Sequence, residues 1–151
     1  MARWSLPMPG GCRCNKVRFT IAAPPLLTII CHCVGCQRMT GGAYSTSIAV
    51  PAAGLSVDGE TVIGGLHGEQ LRHHHCDWCK SWMFTRLAFD PDLVNVRATM
   101  LDDPSWFTPF IETYTSEALP FALVGAPRRF ERFPDRAEYQ PILAAFAAAH
   151  A

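Results

Sequence analysis

Cysteine is the residue type whose spacing in this sequence most clearly indicates chemistry. The chain has 151 residues and seven cysteines. They fall into three groups, Cys12-x-Cys14, Cys31-x-Cys33-x-x-Cys36 and Cys76-x-x-Cys79. Thiolates are preferred ligands of zinc, and CxxC is the spacing of a zinc knuckle, in which a tight turn directs two sulfurs to one ion. The sequence therefore predicts metal binding.

The spacing also favours one way of combining the groups. Alternate residues of a strand point to the same face, so the first two cysteines can reach one ion together. The favoured partition has a four-cysteine set and a cysteine triplet: Cys12, Cys14, Cys76 and Cys79, and Cys31, Cys33 and Cys36. Four protein ligands are typical of structural zinc, whereas three leave a position for water or substrate. We therefore expect two Zn²⁺ per chain, one structural and one at a candidate catalytic site.

Other interpretations of the cysteines stay open at this point. A free cysteine is often a small buried apolar residue. CxxC is also the spacing of a redox pair, although no helix is predicted after Cys79. Cys76 and Cys79 can instead join the triplet. The adjacent run of His73, His74 and His75 can supply a fourth ligand to the second zinc, or its members can be ordinary half-exposed strand residues.

Composition narrows the class of protein. Apolar residues make up 49% of the chain, which suits one globular domain over residues 1–151. The longest apolar stretches are far shorter than the ~20 residues of a membrane-spanning helix. Thirteen basic and thirteen acidic residues cancel, which argues against a nucleic-acid partner. The N-terminus has no pattern of a secretory signal, so we expect a cytoplasmic protein with reduced cysteines.

Short alternating segments predict strands between the cysteine groups. Val17, Phe19 and Ile21 alternate with polar residues, which is the period of a half-buried strand. Similar segments recur between frequent prolines and glycines, so short strands are favoured over long helices. Asp58-Gly59 stands between two of them and predicts a two-residue hairpin. The expected fold class is mainly β, with antiparallel pairing.

One helix is predicted, near the C-terminus at about residues 136–150. Asp135 and Glu138 have the spacing of a capping box. Proline fits the first turn of a helix but not its interior, so Pro141 favours a start at that residue. The core of the domain is expected over about residues 10–135.

Four motifs stand in an order that resembles a known family. They are Gly10-Gly-Cys-Arg-Cys14, Cys31-His-Cys-Val-Gly-Cys-Gln-Arg-Met-Thr-Gly41, Cys76-Asp-Trp-Cys-Lys-Ser81 and Leu101-Asp-Asp-Pro104. The sequence resembles the glutathione-dependent formaldehyde-activating enzyme family, also grouped with centromere protein V, over about residues 10–135. The resemblance implies a β-tent zinc fold of several antiparallel sheets with a short C-terminal helix. It implies structural zinc on the four-cysteine set and a second zinc on the triplet.

The resemblance also implies an activity. The family member would be a zinc-dependent carbon-sulfur lyase that forms or breaks the S-hydroxymethyl adduct of formaldehyde with glutathione or a related thiol. A thiol that binds zinc loses its proton, and the thiolate can attack formaldehyde. The catalytic residues would be those of the triplet. The alternative is a non-catalytic zinc module that serves as a protein-interaction scaffold, for which centromere protein V is the precedent.

Four residues just after the triplet are candidates for contacts with the substrate. Arg38 can pair with a carboxylate of glutathione, or it can be an ordinary exposed arginine. Thr40 can orient a sulfur or the substrate. Gly41 and Gly42 can offer backbone N–H groups to the second carboxylate, or they can simply form a turn. His32 lies between two ligands of an extended segment, so we expect it to point away from the metal.

Two departures from the family's pattern concern the backbone. The family usually has glycine where Asn15 and Lys80 stand. Asparagine tolerates a positive φ, whereas lysine adopts one at a cost. Neither departure removes a predicted zinc ligand.

Overall fold

Strands make up most of the regular structure in the computed structural model, which describes residues 3–66 and 68–151. Within these residues there are eleven strands in two sheets and two α-helices. The strands are β1 (Met8–Gly11), β2 (Arg18–Ile21), β3 (Leu27–Cys31), β4 (Ser45–Pro51), β5 (Leu55–Asp58), β6 (Thr61–Gly64), β7 (Leu71–Cys76), β8 (Trp82–Leu87), β9 (Leu93–Arg97), β10 (Ile111–Thr113) and β11 (Arg128–Arg129). The helices are α1 (Val34–Thr40) and α2 (Tyr139–Ala149). The prediction of a mainly β protein with a short C-terminal helix is confirmed, whereas α1 lies where no helix is predicted.

The described residues divide into two compact units. The first contains the chain up to Pro25 and then Ile48–Phe107, and the second contains Leu26–Ser47 and Thr108–Ala151. The four-cysteine set lies in the first unit and the cysteine triplet lies in the second. The single domain expected over the whole chain stays a prediction.

A three-stranded antiparallel sheet in the order β1-β2-β5 belongs to the first unit. Phe19 and Ile21 of β2 are fully buried between half-exposed polar neighbours, as their alternation predicts. Phe19 lies opposite Gly10 of β1 and Val57 of β5. A Cβ atom at Gly10 would come within 2.4 Å of the Phe19 ring, so glycine allows the ring to cover the strand.

The other strands of the first unit pair antiparallel in the order β9-β8-β7-β6. Met83 and Phe84 of β8 are buried in the apolar core of this unit together with Val96 of β9. Thr61 at the start of β6 lies opposite Cys76 at the end of β7. This pairing holds the backbone from which the Cys76 thiol extends.

The hairpin predicted at Asp58-Gly59 does not form. Within the described part of the chain, β5 pairs with β2, and β6 pairs with β7. Gly59 has a φ of 111°, and a Cβ atom there would lie 2.7 Å from the carbonyl oxygen of Lys16. A two-residue hairpin turn also needs a positive φ, but here the chain uses that of Gly59 to pass from one sheet to the other.

Parallel pairing distinguishes the second unit. β10 lies between β3 and β11 and is parallel to both, with Ile111 opposite Ile29 and Arg128. Parallel neighbours need a long connection instead of a tight turn, and β10 follows β3 only after most of the first unit has been traced. The expectation of antiparallel pairing is corrected at these two contacts.

α2 lies at the C-terminal end of the second unit. Its capping box is present: the Asp135 N–H donates to the Glu138 carboxylate at 2.7 Å. A short 3₁₀ turn leads into Tyr139, so the helix begins two residues before Pro141. Proline is tolerated there because N–H groups of the first turn have no partner within the helix. Neither helix in the described ranges is long and apolar enough to cross a membrane.

Candidate metal centres

The four-cysteine set comes together at two turns of the first unit. Cys12 and Cys14 lie in the turn after β1, and not in a strand as predicted. Cys76 ends β7, and Cys79 lies in the turn that follows. The four sulfurs lie within 4.8 Å of one another. Cys14 Sγ is 3.6 Å from the sulfur of Cys12 and 3.7 Å from that of Cys76.

Both turns have the same local construction. Asn15 and Lys80, which directly follow the second cysteine of each pair, have φ values of 63° and 59°. Their N–H groups donate to the carbonyl oxygens of Cys12 and Cys76 at 3.1 and 3.0 Å. Each positive φ tightens a turn, so that two sulfurs point to the same place. Lysine holds this conformation at a cost of roughly 1–2 kcal/mol.

The donor set of the four-cysteine site fits zinc. Zinc–sulfur bonds of about 2.3 Å in a tetrahedron place the sulfurs about 3.8 Å apart. The two measured sulfur–sulfur distances of 3.6 and 3.7 Å are close to this value. The Val17 N–H donates to Cys12 Sγ at 3.4 Å, and the Ser81 hydroxyl lies 3.2 Å from Cys79 Sγ. Hydrogen bonds of this kind orient thiolate ligands.

The cysteine triplet lies at the junction of β3 and α1 in the second unit. Cys31 ends β3 and is buried, Cys33 is the N-cap of α1, and Cys36 is the third residue of that helix. The Cys36 N–H donates to Cys33 Sγ at 3.3 Å. The three sulfurs lie within 4.8 Å of one another. The sharp change from strand to helix therefore brings together three thiols from one segment of six residues, 31–36.

Among the three neighbouring thiols, the negative charge falls on Cys31. Hydrogen bonds with Cys33 and Cys36 lower the pKa of Cys31 to about 3. The Cys31 thiolate in turn raises the pKa of Cys33 and the pKa of Cys36. A bound cation would allow all three to lose their protons, because each thiolate would then face a positive charge.

No histidine joins either cysteine set within residues 3–66 and 68–151. His73 Nδ1 lies 2.8 Å from the Thr85 hydroxyl, and His74 Nδ1 lies 2.8 Å from that of Thr61. Burial lowers the pKa of His74 to about 4. His75 stacks on a tryptophan ring of β8. The histidine run is therefore part of the packing of β6, β7 and β8.

The residues predicted to contact the substrate lie at the opposite end of α1. Gly41 is the C-cap, with a φ of 66°, and its N–H donates to the Gln37 carbonyl oxygen. The Gly42 N–H donates to the Thr40 hydroxyl at 3.1 Å. Arg38 is exposed, and α-helical geometry turns it about 200° from the last cysteine of the triplet. Both glycine N–H groups thus serve to end the helix, and contact of these four residues with a substrate stays a prediction.

Comparison with known proteins shows to which family the chain belongs. A family model described as glutathione-dependent formaldehyde-activating enzyme matches residues 7–117, a range that holds all seven cysteines. The chain belongs to this family. The fold is also found in a solved Rhodobacter sphaeroides protein, with a TM-score of 0.55, 15% sequence identity, and coverage of 82% of this chain and 99% of that chain. No curated protein is similar enough in sequence to match the chain.

In this formaldehyde-activating family member, a buried hydrogen-bonded pair that sequence analysis does not predict adjoins the triplet. His32 Nε2 lies 2.9 Å from Glu112 Oε1, and both side chains are fully buried. Burial alone would raise the pKa of Glu112, but the Val124 N–H, the His32 ring and the Ala126 N–H lower it. The carboxylate is therefore ionised, and His32 Nε2 donates a proton to it. Glu112 thus links the residue between two triplet cysteines to the backbone after β10.

Further contacts hold α1 in place. Gln37 Nε2 donates to the carbonyl oxygens of His32 at 2.7 Å and of Glu117 at 3.0 Å. Burial and the negative charge of Cys31 raise the pKa of Tyr139 at the start of α2. The segment after β10 therefore holds α1, although the two are about 80 residues apart in the sequence.

We expect Glu112→Gln to lower the free energy of unfolding by about 3 kcal/mol. Glutamine keeps one oxygen, but its NH₂ group would face groups that also donate, so at least one buried donor loses its acceptor. Urea denaturation followed by circular dichroism measures the change. Because the pKa of Glu112 is depressed, its contribution is complete above the ordinary carboxyl value of 4.5 and declines as the pH falls further.

The control for this prediction is Glu131→Gln, at an exposed position of the same unit. We expect the control to change the free energy of unfolding by less than about 0.5 kcal/mol. Equal effects of the two substitutions would mean that the buried carboxylate does not hold this region together.

Proposed function

We propose that this protein is a zinc-dependent carbon-sulfur lyase, which forms or breaks the S-hydroxymethyl adduct of formaldehyde with glutathione or a related thiol. The observation that carries the proposal is the cysteine triplet. Its three sulfurs lie within 4.8 Å of one another, and the described ranges place no fourth metal donor among them. Membership of the formaldehyde-activating family supports the same chemistry.

The chain contributes to this reaction by placing its thiols. When bound, zinc supplies an acidic coordination position at which a substrate thiol loses its proton. Cys33 and Cys36 are half exposed, so a thiol from solution can approach them, whereas Cys31 is buried. A thiolate and formaldehyde held side by side react as one unit instead of meeting by diffusion. The Glu112–His32 pair and Gln37 keep β3 and α1 in the geometry that this requires.

We assign the four-cysteine set a structural role. Its four sulfurs can fill a tetrahedral coordination by themselves, which leaves no position for a substrate. Cys12 and Cys76 are buried, and the set joins parts of the chain that are 62 residues apart. Metal binding there would stabilise the first unit by connecting residues 12–14 to residues 76–79.

The proposed partner is a small thiol in the cytoplasm. Glutathione keeps cytosolic thiols reduced, as this site requires. Acidic and basic residues balance, and seven thiolates with two Zn²⁺ would carry three further negative charges. A net negative charge disfavours binding to the phosphate backbone of nucleic acids, so we propose no nucleic-acid partner.

Exchange spectroscopy by NMR tests the proposed activity. ¹³C-formaldehyde, glutathione and their adduct give separate signals, and the zinc-loaded protein is expected to speed their exchange in proportion to its concentration. Free zinc at the same concentration, and protein whose triplet thiols have been alkylated, are the controls. An exchange rate that stays at the uncatalysed value would overturn the lyase proposal.

A second candidate function, the protein-interaction scaffold, is favoured by exposed aromatic side chains. Trp78 is 72% exposed in the first unit, and Phe121 is 82% exposed in the second. Large exposed apolar side chains are common at protein-binding sites. The exchange experiment separates the two functions, since a scaffold that binds zinc leaves the rate of adduct formation unchanged.

A further inference from the structure

The segment Cys33-Val-Gly-Cys36 combines a CxxC spacing with a helix that begins at its first cysteine. That is the local arrangement of a thiol–disulfide redox pair. The other CxxC, from Cys76 to Cys79, leads into β8 instead of a helix. We propose that Cys33 and Cys36 form a reversible intramolecular disulfide by exchange with small disulfides when the triplet holds no metal. This second activity goes beyond the proposed lyase function and does not depend on it.

The backbone places the two cysteines at the separation that a disulfide needs. The N-cap and the third residue of an α-helix have Cα atoms about 5 Å apart. Disulfides span Cα separations of about 4.4–6.8 Å. The sulfurs already lie within 4.8 Å, and the Cys36 N–H points to Cys33 Sγ at 3.3 Å. Rotation of the side chains can therefore close the bond while α1 keeps its position.

Exposure determines which thiols a disulfide from solution can reach. Cys33 and Cys36 are half exposed, whereas Cys31 is only 8% exposed. Cys33 is the N-cap at the open end of α1, whereas Cys36 lies within the first turn of that helix. We therefore assign Cys33 as the attacking sulfur and Cys36 as the resolving sulfur.

The exchange balances without any further reactant. Cys33 loses its proton and its sulfur attacks one sulfur of a small disulfide, RS–SR, so that the S–S bond breaks and releases RS⁻, which takes up a proton. Cys36 then loses its proton and attacks the Cys33 sulfur of the mixed disulfide, which releases the second RS⁻ to be protonated. Two protein thiols are oxidised by two electrons, and RSSR is reduced to two RSH.

Metal and disulfide exclude each other at this site. The bond would remove two of the three sulfurs that can hold a metal ion. It would close a loop of only four residues, so the second unit is expected to keep its fold. Metal occupancy of the triplet would thus decide between the two activities.

Peptide mapping after treatment with oxidised glutathione tests the inference. Trypsin cleaves after Arg18 and Arg38, which leaves all three triplet cysteines in one peptide, residues 19–38. The zinc-loaded protein and protein freed of its weaker zinc by a mild chelator are each treated and then alkylated. The chelated sample is expected to give this peptide with a Cys33–Cys36 disulfide and alkylation at Cys31. The zinc-loaded sample is expected to give it with all three cysteines alkylated after unfolding.

Two variants identify the steps. Cys36→Ser is expected to stop at the mixed disulfide of Cys33 with glutathione, and Cys31→Ser is expected to form the intramolecular disulfide as the wild type does. A disulfide that includes Cys31, or a chelated wild-type protein that keeps three free triplet thiols, would overturn the proposal. The peptide map of the wild-type protein tests the proposal even if a variant fails to fold. The peptide-mapping experiment contains no formaldehyde. A negative result would therefore not bear on the lyase proposal, which the NMR exchange experiment tests separately.

Discussion

Cys76→Ala is expected to leave the protein unfolded or insoluble. Cys76 is buried, and its sulfur lies 3.7 Å from that of Cys14, which is 62 residues earlier in the chain. Structural zinc contributes an apparent ~10–16 kcal/mol in small zinc peptides, against net domain stabilities of ~5–15 kcal/mol. Loss of one ligand is therefore expected to cost about 5 kcal/mol or more, a large part of the whole stability. Soluble yield and urea denaturation followed by circular dichroism measure it.

The matched control is Cys33→Ala, which removes a thiol from the triplet. Cys33 is half exposed, and the triplet joins residues within one short segment, so its metal crosslinks little of the chain. We expect this variant to fold with a loss of about 1 kcal/mol, the typical cost of removing an N-cap side chain. A soluble, fully folded Cys76→Ala protein that still binds two zinc ions would contradict the structural role of the four-cysteine set.

Cys36→Ala is expected to give a folded protein that has lost one zinc ion and all acceleration of adduct exchange. Two remaining thiols at the triplet cannot replace the third ligand, since the described ranges bring no histidine or carboxylate into the set. Elemental analysis counts the zinc, circular dichroism follows the fold, and NMR exchange spectroscopy follows the activity.

Val34→Ala is the control for this second variant, because the Val34 side chain is 40% exposed on the same helix and carries no ligand atom. The control is expected to keep both zinc ions and the exchange rate of the wild type. Full activity of Cys36→Ala with a single zinc ion would show that the triplet is not the site of the reaction.

The two cysteine sets could be predicted because ligand sulfurs at short spacings must converge when the chain turns. CxxC before Lys80 needs only one tight turn, and the structure forms it with a positive φ at that residue. The mainly β class could be predicted for a similar reason. Apolar residues such as Phe19 and Ile21 alternate with polar ones, and this alternation indicates which face of the strand is buried. The spacing within each cysteine group and the alternation within β2 are local signals, whereas the pairing of the two groups of the four-cysteine set joins residues 62 positions apart and is only favoured by the spacing.

The features that sequence analysis does not find depend on distant residues or on weak local signals. α1 has seven residues and a cysteine as its N-cap, and cysteine is not among the residues that mark helix starts. Asp58-Gly59 has the right residues for a hairpin, yet the partner of β5 is β2, a choice made by tertiary packing. The Glu112–His32 pair joins residues that are 80 positions apart, and no spacing rule connects them.

Stepwise removal of zinc tests most directly whether the two cysteine sets have different roles. Zinc release, circular dichroism and the rate of adduct exchange are followed together as a chelator is added to the zinc-loaded protein. We expect the first zinc equivalent to leave with loss of activity and an unchanged spectrum, because the triplet has fewer ligands and crosslinks little chain. The second should leave only as the spectrum changes to that of an unfolded chain. Release of both ions in one step together with unfolding, or activity that survives the first release, would contradict the account.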